Sequence, residues 1–390
     1  MRSTKAFYIF TFLTRLGMGS ICSVYVLYLL DLGLSYSQVT LVNALFFVFL
    51  ILFELPTGML ADGRGRGYSV IGGALFTALS GAAYWLADGL WMAIVAEALC
   101  AVGSAFFTGA LTAWIADAPD RKISLQKVYA NRTIMDGAGM TIGTLFGVYI
   151  ATWSDRADAF LFFMAWYFVA MIFAGIFMRG KEPEHTLSEF EALKHATDHL
   201  KGSVSMRWAL GVELVTGFFG AYNLFWAPLM ITQFSQVELG WIWILMYAVC
   251  IIAGLIVRKQ SEDEESARNH LATRTVKALV LVAVAMAFIW TTGSGFVWIA
   301  MIAVHEFGRG LVTPYLETYV QQRVDTSYRA TYGSLQSFLG LFGLVAVQLT
   351  LTGVFKFVGS DISIIPWLWL VTSCLMLVAC AALYKFRPKM

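Results

Sequence analysis

Charge is what this sequence has least of. Only 13% of its 390 residues are Asp, Glu, Lys or Arg, against about 25% in an ordinary soluble domain. That shortage leaves too little polar surface to face water on all sides. Cysteine is also sparse. Cys22, Cys100, Cys250, Cys374 and Cys380 all fall inside apolar runs and lack metal-ligand spacing, so they read as small packing residues of helices and not as a disulfide or zinc framework. No Walker-type phosphate loop and no nucleophile–base motif at diagnostic spacing is present, so neither an enzyme nor a cofactor is expected. The net charge of +2 gives little information about partners.

What the chain does have is apolar length. Hydrophobic residues make up 59% of it, and the mean hydropathy is +0.70. Runs of about 20 apolar residues, the length needed to cross a bilayer, recur from end to end. They predict an all-α membrane protein of twelve spans, near 6–30, 38–60, 68–87, 90–115, 128–152, 158–178, 207–232, 237–258, 273–291, 295–321, 329–354 and 362–385. The opening "MRSTKAFYIFTFLTRLGMGS" has no small-residue cleavage site and reads as a retained first helix. The links are short and polar, as they must be when bare backbone cannot lie in hydrocarbon. The longest link, 179–206, carries Leu187, Phe190, Leu193 and Leu200 and predicts an amphipathic helix along the membrane surface. It divides the chain into an N-terminal half at 1–178 and a C-terminal half at 207–390.

Basic residues set the expected orientation. Of 27 Lys and Arg, only Arg156 and Lys356 fall on the outer side, and Arg15 and Arg309 lie within spans. Both termini are therefore expected in the cytoplasm. Span four ("GSAFFTGALTAWIAD") and span ten ("GRGLVTPYLETYVQQ") also resemble each other at a constant offset. Gly103 corresponds to Gly308, Thr108 to Thr313, Leu111 to Leu316 and Trp114 to Tyr319. Two homologous six-helix halves, a common transporter design, would explain this.

An ionisable group near the bilayer midplane costs about 2.5–3.5 kcal/mol or more, so each one demands a reason. The spans contain Arg15, Glu97, Asp136, Glu213, His305, Glu306 and Arg309. In span ten, His305 and Arg309 are four apart and Glu306 and Arg309 three apart, so both pairs can meet along one helix flank. Two readings stand: a structural ion pair that neutralises the arginine, or a Glu306 that exchanges a proton while Arg309 holds an anionic group. Pro314 removes one backbone hydrogen bond and predicts a bend. In span five, Asp136 is either a proton site or the partner of Arg15 or Arg132. Gly137, Gly139, Gly143 and Gly147 beyond it form a small-residue face that reads as close helix packing. Arg15 has no local acid and needs a partner from another helix or a wet cavity. Glu97 and Glu213 lie within a few turns of an interface, where water is expected to reach them. Thirteen tryptophans and thirty phenylalanines leave room for an aromatic-lined pocket, although most must face lipid or anchor at the interfaces.

The stretch "ELPTGMLADGRGRGYS" (54–69) looks at first like a phosphate cradle or a nucleic-acid tail. It has neither P-loop spacing nor a basic surface, and nucleic acid is not an expected partner. Its core "GMLADGRGRG" (58–67) resembles the signature loop between spans two and three of the major facilitator superfamily. Gly58, Asp62, Gly65 and Arg66 match that pattern, while Gly63 and Gly67 stand where basic residues are usual. "TGALTAWIAD" and "GRGLVTPYLETYVQQRVDTSYRATYGS" are similar to a bacterial exporter-like branch. The resemblance implies a carrier whose two halves alternately expose one central cavity, with Asp62 and Arg66 as a cytoplasmic latch. The family's usual span-four arginine is absent, with Glu97 in about that place, and the span-five antiporter motif lacks its proline. The resulting expectation is a monomeric, proton-coupled exporter of a small amphipathic organic compound in the bacterial inner membrane. Its energy would enter through Glu306 or Asp136. An importer, a facilitator and a lipid flippase are the alternatives on the same fold.

Overall fold

The computed structural model describes all residues except 1, 108–109, 117, 119–124, 180–188, 261–263, 290–292, 322, 325–328 and 389–390. Among the described residues every regular element is a helix. In chain order these are α1 (Ser3–Cys22), α2 (Tyr25–Asp31), α3 (Tyr36–Arg64), α4 (Arg66–Trp85), α5 (Leu90–Phe107), α6 (Ala110–Ala116), α7 (Leu125–Trp153) and α8 (Asp158–Phe177). There follow α9 (Glu189–Gly202), α10 (Val204–Thr216), α11 (Phe219–Met230), α12 (Gln236–Gln260), α13 (Glu264–Ile289), α14 (Gly295–Gln321), α15 (Arg329–Val358) and α16 (Ile364–Lys385).

Among the described residues nine helices are long and apolar enough to cross a membrane, and a tenth span is formed if α1 and α2, bent by 46°, count as one. The chain is a multi-pass membrane protein. The predicted stretches 68–87 and 207–232 fall outside that count for visible reasons. Helix α4 is rich in Gly, Ser and Ala, and 207–232 is split at Gly217–Phe218 into α10 and α11. The apolar residues that face outward are large: Phe357 is 90% exposed, Trp91 and Phe296 80%, and Trp153 78%. Hydrocarbon and interface satisfy such a surface where water would not.

The first compact unit comprises Met1–His185 with two short segments, Ser235–Trp243 and Thr352–Ser360. Within it α1 packs on α7 and α8, α4 on α5 and α8, and α3 on α5. The second unit comprises Thr186–Phe234, Ile244–Leu351 and Asp361–Met390, with α13 packed on α14 and α16, and α10 and α11 on α16. The division differs from one at the midpoint link by those two short segments.

Local features add detail to the expected layout. The link between spans two and three shrinks to one residue. Helix α3 ends at Arg64, α4 begins at Arg66, and Gly65 between them has φ 95° and ψ 140°, a conformation open essentially to glycine alone. Helix α14 runs through Pro314 as one element. The breaks fall elsewhere, after Cys22 in span one and after Thr216 in span seven. In the midpoint link a helix does form, α9, while Leu187 lies outside the described residues.

Candidate functional site

The first polar centre lies between α1 and α7. On α1 the half-buried residues Tyr8, Phe12, Arg15, Met18 and Cys22 recur at helical spacing, while Phe7, Phe10, Thr11 and Thr14 between them are buried. They form one face. Helix α7 meets α1 through glycines. A Cβ at Gly139 would stand 2.8 Å from both the Phe12 carbonyl oxygen and Arg15 Cβ, and at Gly143 and Gly147 it would collide with the backbone of Leu16 and Ser20. Thr144 Oγ1 donates across to the Gly19 carbonyl at 3.2 Å. This close approach lets a side chain cross between helices. Arg15 Nε donates to Asp136 Oδ1 at 2.9 Å, and Arg132 Nε lies 3.7 Å from Oδ2 of the same carboxylate. The Arg132 guanidinium also sits 5.9 Å from the centre of the Phe7 ring, within cation–π range. Asn131 Nδ2 donates to the Tyr8 hydroxyl at 3.3 Å. Asp136 thus serves both arginines.

Glu97 is a separate case. It was expected within reach of water, and instead it is buried, with 5% exposure. The Tyr25 hydroxyl donates to its Oε1, and the Tyr84 hydroxyl donates to the same oxygen at 2.5 Å. The two tyrosine rings stand edge to face, 6.0 Å apart, and the Phe160 ring lies 4.7 Å from that of Tyr84. The physical reason for the burial is local. Tyr25 is the first residue of α2, directly after the break in span one, and the bend turns its ring toward α5.

The second centre is on α14. Glu306, itself buried, accepts from Arg309 Nε at 2.9 Å and Nη2 at 2.5 Å on Oε2. Its Oε1 accepts from His305 Nδ1 at 3.0 Å. Cys250 Sγ of α12 lies 3.4 Å from Oε2 and 3.3 Å from the Glu306 carbonyl. A glycine again permits the approach: a Cβ on Gly310 would stand 2.9 Å from Ala253 Cβ. The His305 imidazole is enclosed edge to face by Phe219 and Tyr222, at 5.9 and 5.1 Å between centroids. Tyr222 is held by Ser373 at 3.0 Å and lies beside Trp369. The expected meeting of His305 with Arg309 gives way to His305 with Glu306, because the carboxylate attracts both cation-capable groups.

The structure therefore joins Arg15 to Asp136, and His305 and Arg309 to Glu306. It places Glu97 among phenols, and Glu213 beside Gln336, whose Nε2 lies 3.4 Å from Glu213 Oε2. In the signature loop Gly65 makes the turn and Arg66 opens α4 half-buried. The Gly58 and Asp62 side chains lie outside the described residues. Sequence reasoning missed Tyr25, Tyr84, Tyr222 and Cys250. Nothing in spacing marks the tyrosines, although a buried Glu97 in a chain poor in cations requires neutral donors from somewhere.

The internal similarity has a structural counterpart in each unit. Gly103 of α5 packs against Gly73 and Thr77 of α4, and Gly308 of α14 packs against Ala278 and Val282 of α13, at the same offset for all three positions. Trp114 Nε1 donates to the Met178 carbonyl at 2.8 Å. In the second unit Trp208 Nε1 donates at 2.9 Å to the carbonyl of Leu383, which stands at that same offset from Met178. Tyr319, the counterpart of Trp114, lies 5.0 Å from the Trp208 ring.

Comparison with known proteins agrees with these features. A Bacillus subtilis (strain 168) protein described as an uncharacterized MFS-type transporter, YxaM, is 22% identical over 373 residues, covering 90% of each chain. Among solved structures, nucleoside transporter NupG superposes with a TM-score of 0.80 at 12% identity over 100% of both chains. A D-xylose-proton symporter gives 0.74 at 14% identity over 99% of this chain and 96% of its own; at such identity these likenesses speak for the fold alone. The family description Major Facilitator Superfamily matches residues 7–347. The chain is a transporter, not an enzyme, and it belongs to the major facilitator superfamily.

Proposed function

We propose that the protein is a proton-coupled secondary transporter that exports a small amphipathic organic compound across the bacterial inner membrane by alternating access. In this reading it has twelve spans in two six-helix halves, both termini in the cytoplasm, and acts as a monomer. The recurrence of the Gly103 and Gly308 contacts, and of the Trp114 and Trp208 hydrogen bonds, supports two homologous halves.

The observation that carries the proposal is the exposure of the arginines. Arg15 and Arg309 lie inside apolar spans, yet 38% and 35% of their side chains are uncovered. A guanidinium left that open to hydrocarbon is costly, so the uncovered part faces water. Water at that depth means a solvated face beside the arginine within each unit. The edge of a guanidinium holds carboxylate, phosphate or carbonyl oxygens by directed hydrogen bonds. An amphipathic solute with an acceptor-rich end and a flat apolar body fits the Arg15 guanidinium together with the half-buried Tyr8 and Phe12 of the same helix face.

The test begins with a screen of organic compounds for those that raise the melting temperature of the purified protein, since ligands of the folded state stabilise it. A compound so found is then followed in proteoliposomes under an imposed pH gradient. Export against protons predicts that the compound moves toward the acidic side. Movement with the protons assigns import, and flux indifferent to the gradient refutes coupling altogether.

A further inference from the structure

Three acids within the spans, Asp136, Glu306 and Glu97, differ in what holds them. Asp136 is flanked by Arg15 and Arg132. Glu306 is flanked by Arg309 and His305. Adding a proton to either would leave a guanidinium inside a span without its counter-charge. Among the described residues no cation pairs with Glu97. Its neighbours are the phenols Tyr25 of α2 and Tyr84 of α4, with the Asn43 side chain of α3 on Tyr25 and the Cys100 thiol one turn along α5. None of these is charged at neutral pH.

We infer that Glu97 is the residue that takes up and releases the coupling proton, and that Tyr25 transmits its state to the bend in span one. The inference rests on the proton coupling proposed above and names the group that performs it. A phenol both donates and accepts hydrogen bonds. The ionised carboxylate therefore accepts from Tyr25 and Tyr84, while the neutral acid donates its own O–H to one of those oxygens and accepts from the other. Both protonation states keep their partners, which neither ion-paired acid can do. The proton moves between the Glu97 carboxylate oxygen and water, and no other bond changes.

The second part follows from the place of Tyr25. It is the N-terminal residue of α2, and its hydrogen bond to Glu97 spans 72 positions of sequence. That bond pins the bend between α1 and α2 to α5. A charge-assisted hydrogen bond is roughly twice as strong as a neutral one, so ionisation of Glu97 tightens the pin and protonation loosens it.

Infrared difference spectra of the reconstituted full-length protein, taken between acid and alkaline buffer, test this without any transported compound. We expect the carbonyl stretch of an un-ionised carboxylic acid to appear at acid pH, to vanish in Glu97→Gln, and to remain in Asp136→Asn and Glu306→Gln. Tyr25→Phe should keep the band and move it to higher frequency, because the acid loses one hydrogen bond. Glutamine keeps both phenol contacts, so folding is preserved. A band that survives in Glu97→Gln, or no pH-dependent band in the wild type, overturns the inference. That result is independent of flux. Gradient-driven flux that persists in Glu97→Gln refutes this assignment alone, whereas wild-type flux that ignores the gradient refutes proton coupling and the Glu97 role with it.

Discussion

Replacing Arg309 by methionine should destabilise the protein more than replacing its partner Glu306 by glutamine. The two side chains differ in exposure, 35% for Arg309 and 5% for Glu306. Without Arg309, the enclosed carboxylate loses both guanidinium bonds and keeps only His305 and the Cys250 thiol, too little for a full charge. Breaking a buried pair in this way costs about 3–5 kcal/mol. In Glu306→Gln the orphaned cation is the more open member and can recruit water, while the amide oxygen still accepts one hydrogen bond. That loss should be about 1.5–3 kcal/mol, the scale of one hydrogen bond to a charged group. The double variant removes both charges and should lie closer to Glu306→Gln than to Arg309→Met, a non-additivity diagnostic of a direct pair. Denaturation in mixed micelles, followed by tryptophan fluorescence, measures all three. An Arg309→Met no worse than Glu306→Gln, or a double variant at the sum of the singles, would refute the claim that Glu306 depends on this arginine.

Two further outcomes follow from local geometry. Gly65→Ala forces a side chain onto φ 95° and should cost about 1–3 kcal/mol, seen as a lowered denaturation midpoint; an unchanged midpoint would mean the turn can adopt another conformation. Trp114→Phe and Trp208→Phe each remove one indole donor to a helix-end carbonyl. Each should cost about 1 kcal/mol for the hydrogen bond, and a large difference between them would argue against equivalent roles in the two units.

The path of the helices is legible in the sequence because lipid imposes a simple rule on apolar length, and that rule leaves long unbroken runs. The breaks within spans are less legible. Neither Ser23 nor Val24 is a proline or glycine that would mark the bend there. Pairs at helical spacing, Arg132 with Asp136 and Glu306 with Arg309, can be read directly. The bond from Arg15 to Asp136 joins residues 121 positions apart, so only the tertiary approach of α1 and α7 creates it. His305 shows the limit of spacing rules from the other side. Sequence neighbours on a helix do not usually face each other, yet a buried carboxylate draws in the adjacent imidazole. Glu97 was misjudged in its surroundings because depth along a span was equated with access to water. Tyr25 and Tyr84, from two other helices, close over it.

Glycine and charge are linked in this fold, and the link can be tested with a matched pair. Gly139 of α7 and Gly81 of α4 are equally crowded. An added Cβ would stand 2.8 Å from Arg15 Cβ and the Phe12 carbonyl oxygen at position 139, and 2.8 Å from the Phe163 ring, 2.9 Å from Met164 Cβ and 3.0 Å from the Phe160 carbonyl oxygen at position 81. Overpacking of this kind costs about 1–3 kcal/mol, so Gly139→Ala and Gly81→Ala should lower stability alike. Their functional effects should diverge. At Gly139 the displaced group is the root of Arg15, and a shift of a few tenths of an ångström between α1 and α7 stretches a 2.9 Å hydrogen bond to Asp136. At Gly81 the displaced groups are apolar side chains and a carbonyl of α8, none of them a partner of Arg15 or Asp136. Flux of a compound found by the melting screen, normalised to folded protein, should therefore fall further in Gly139→Ala than in Gly81→Ala, where the effect reaches an ionisable group only through the Phe160 ring against Tyr84. Equal loss in both would mean that the α1–α7 approach matters only for packing. The arrangement of Arg15 with Asp136 would then be incidental to transport.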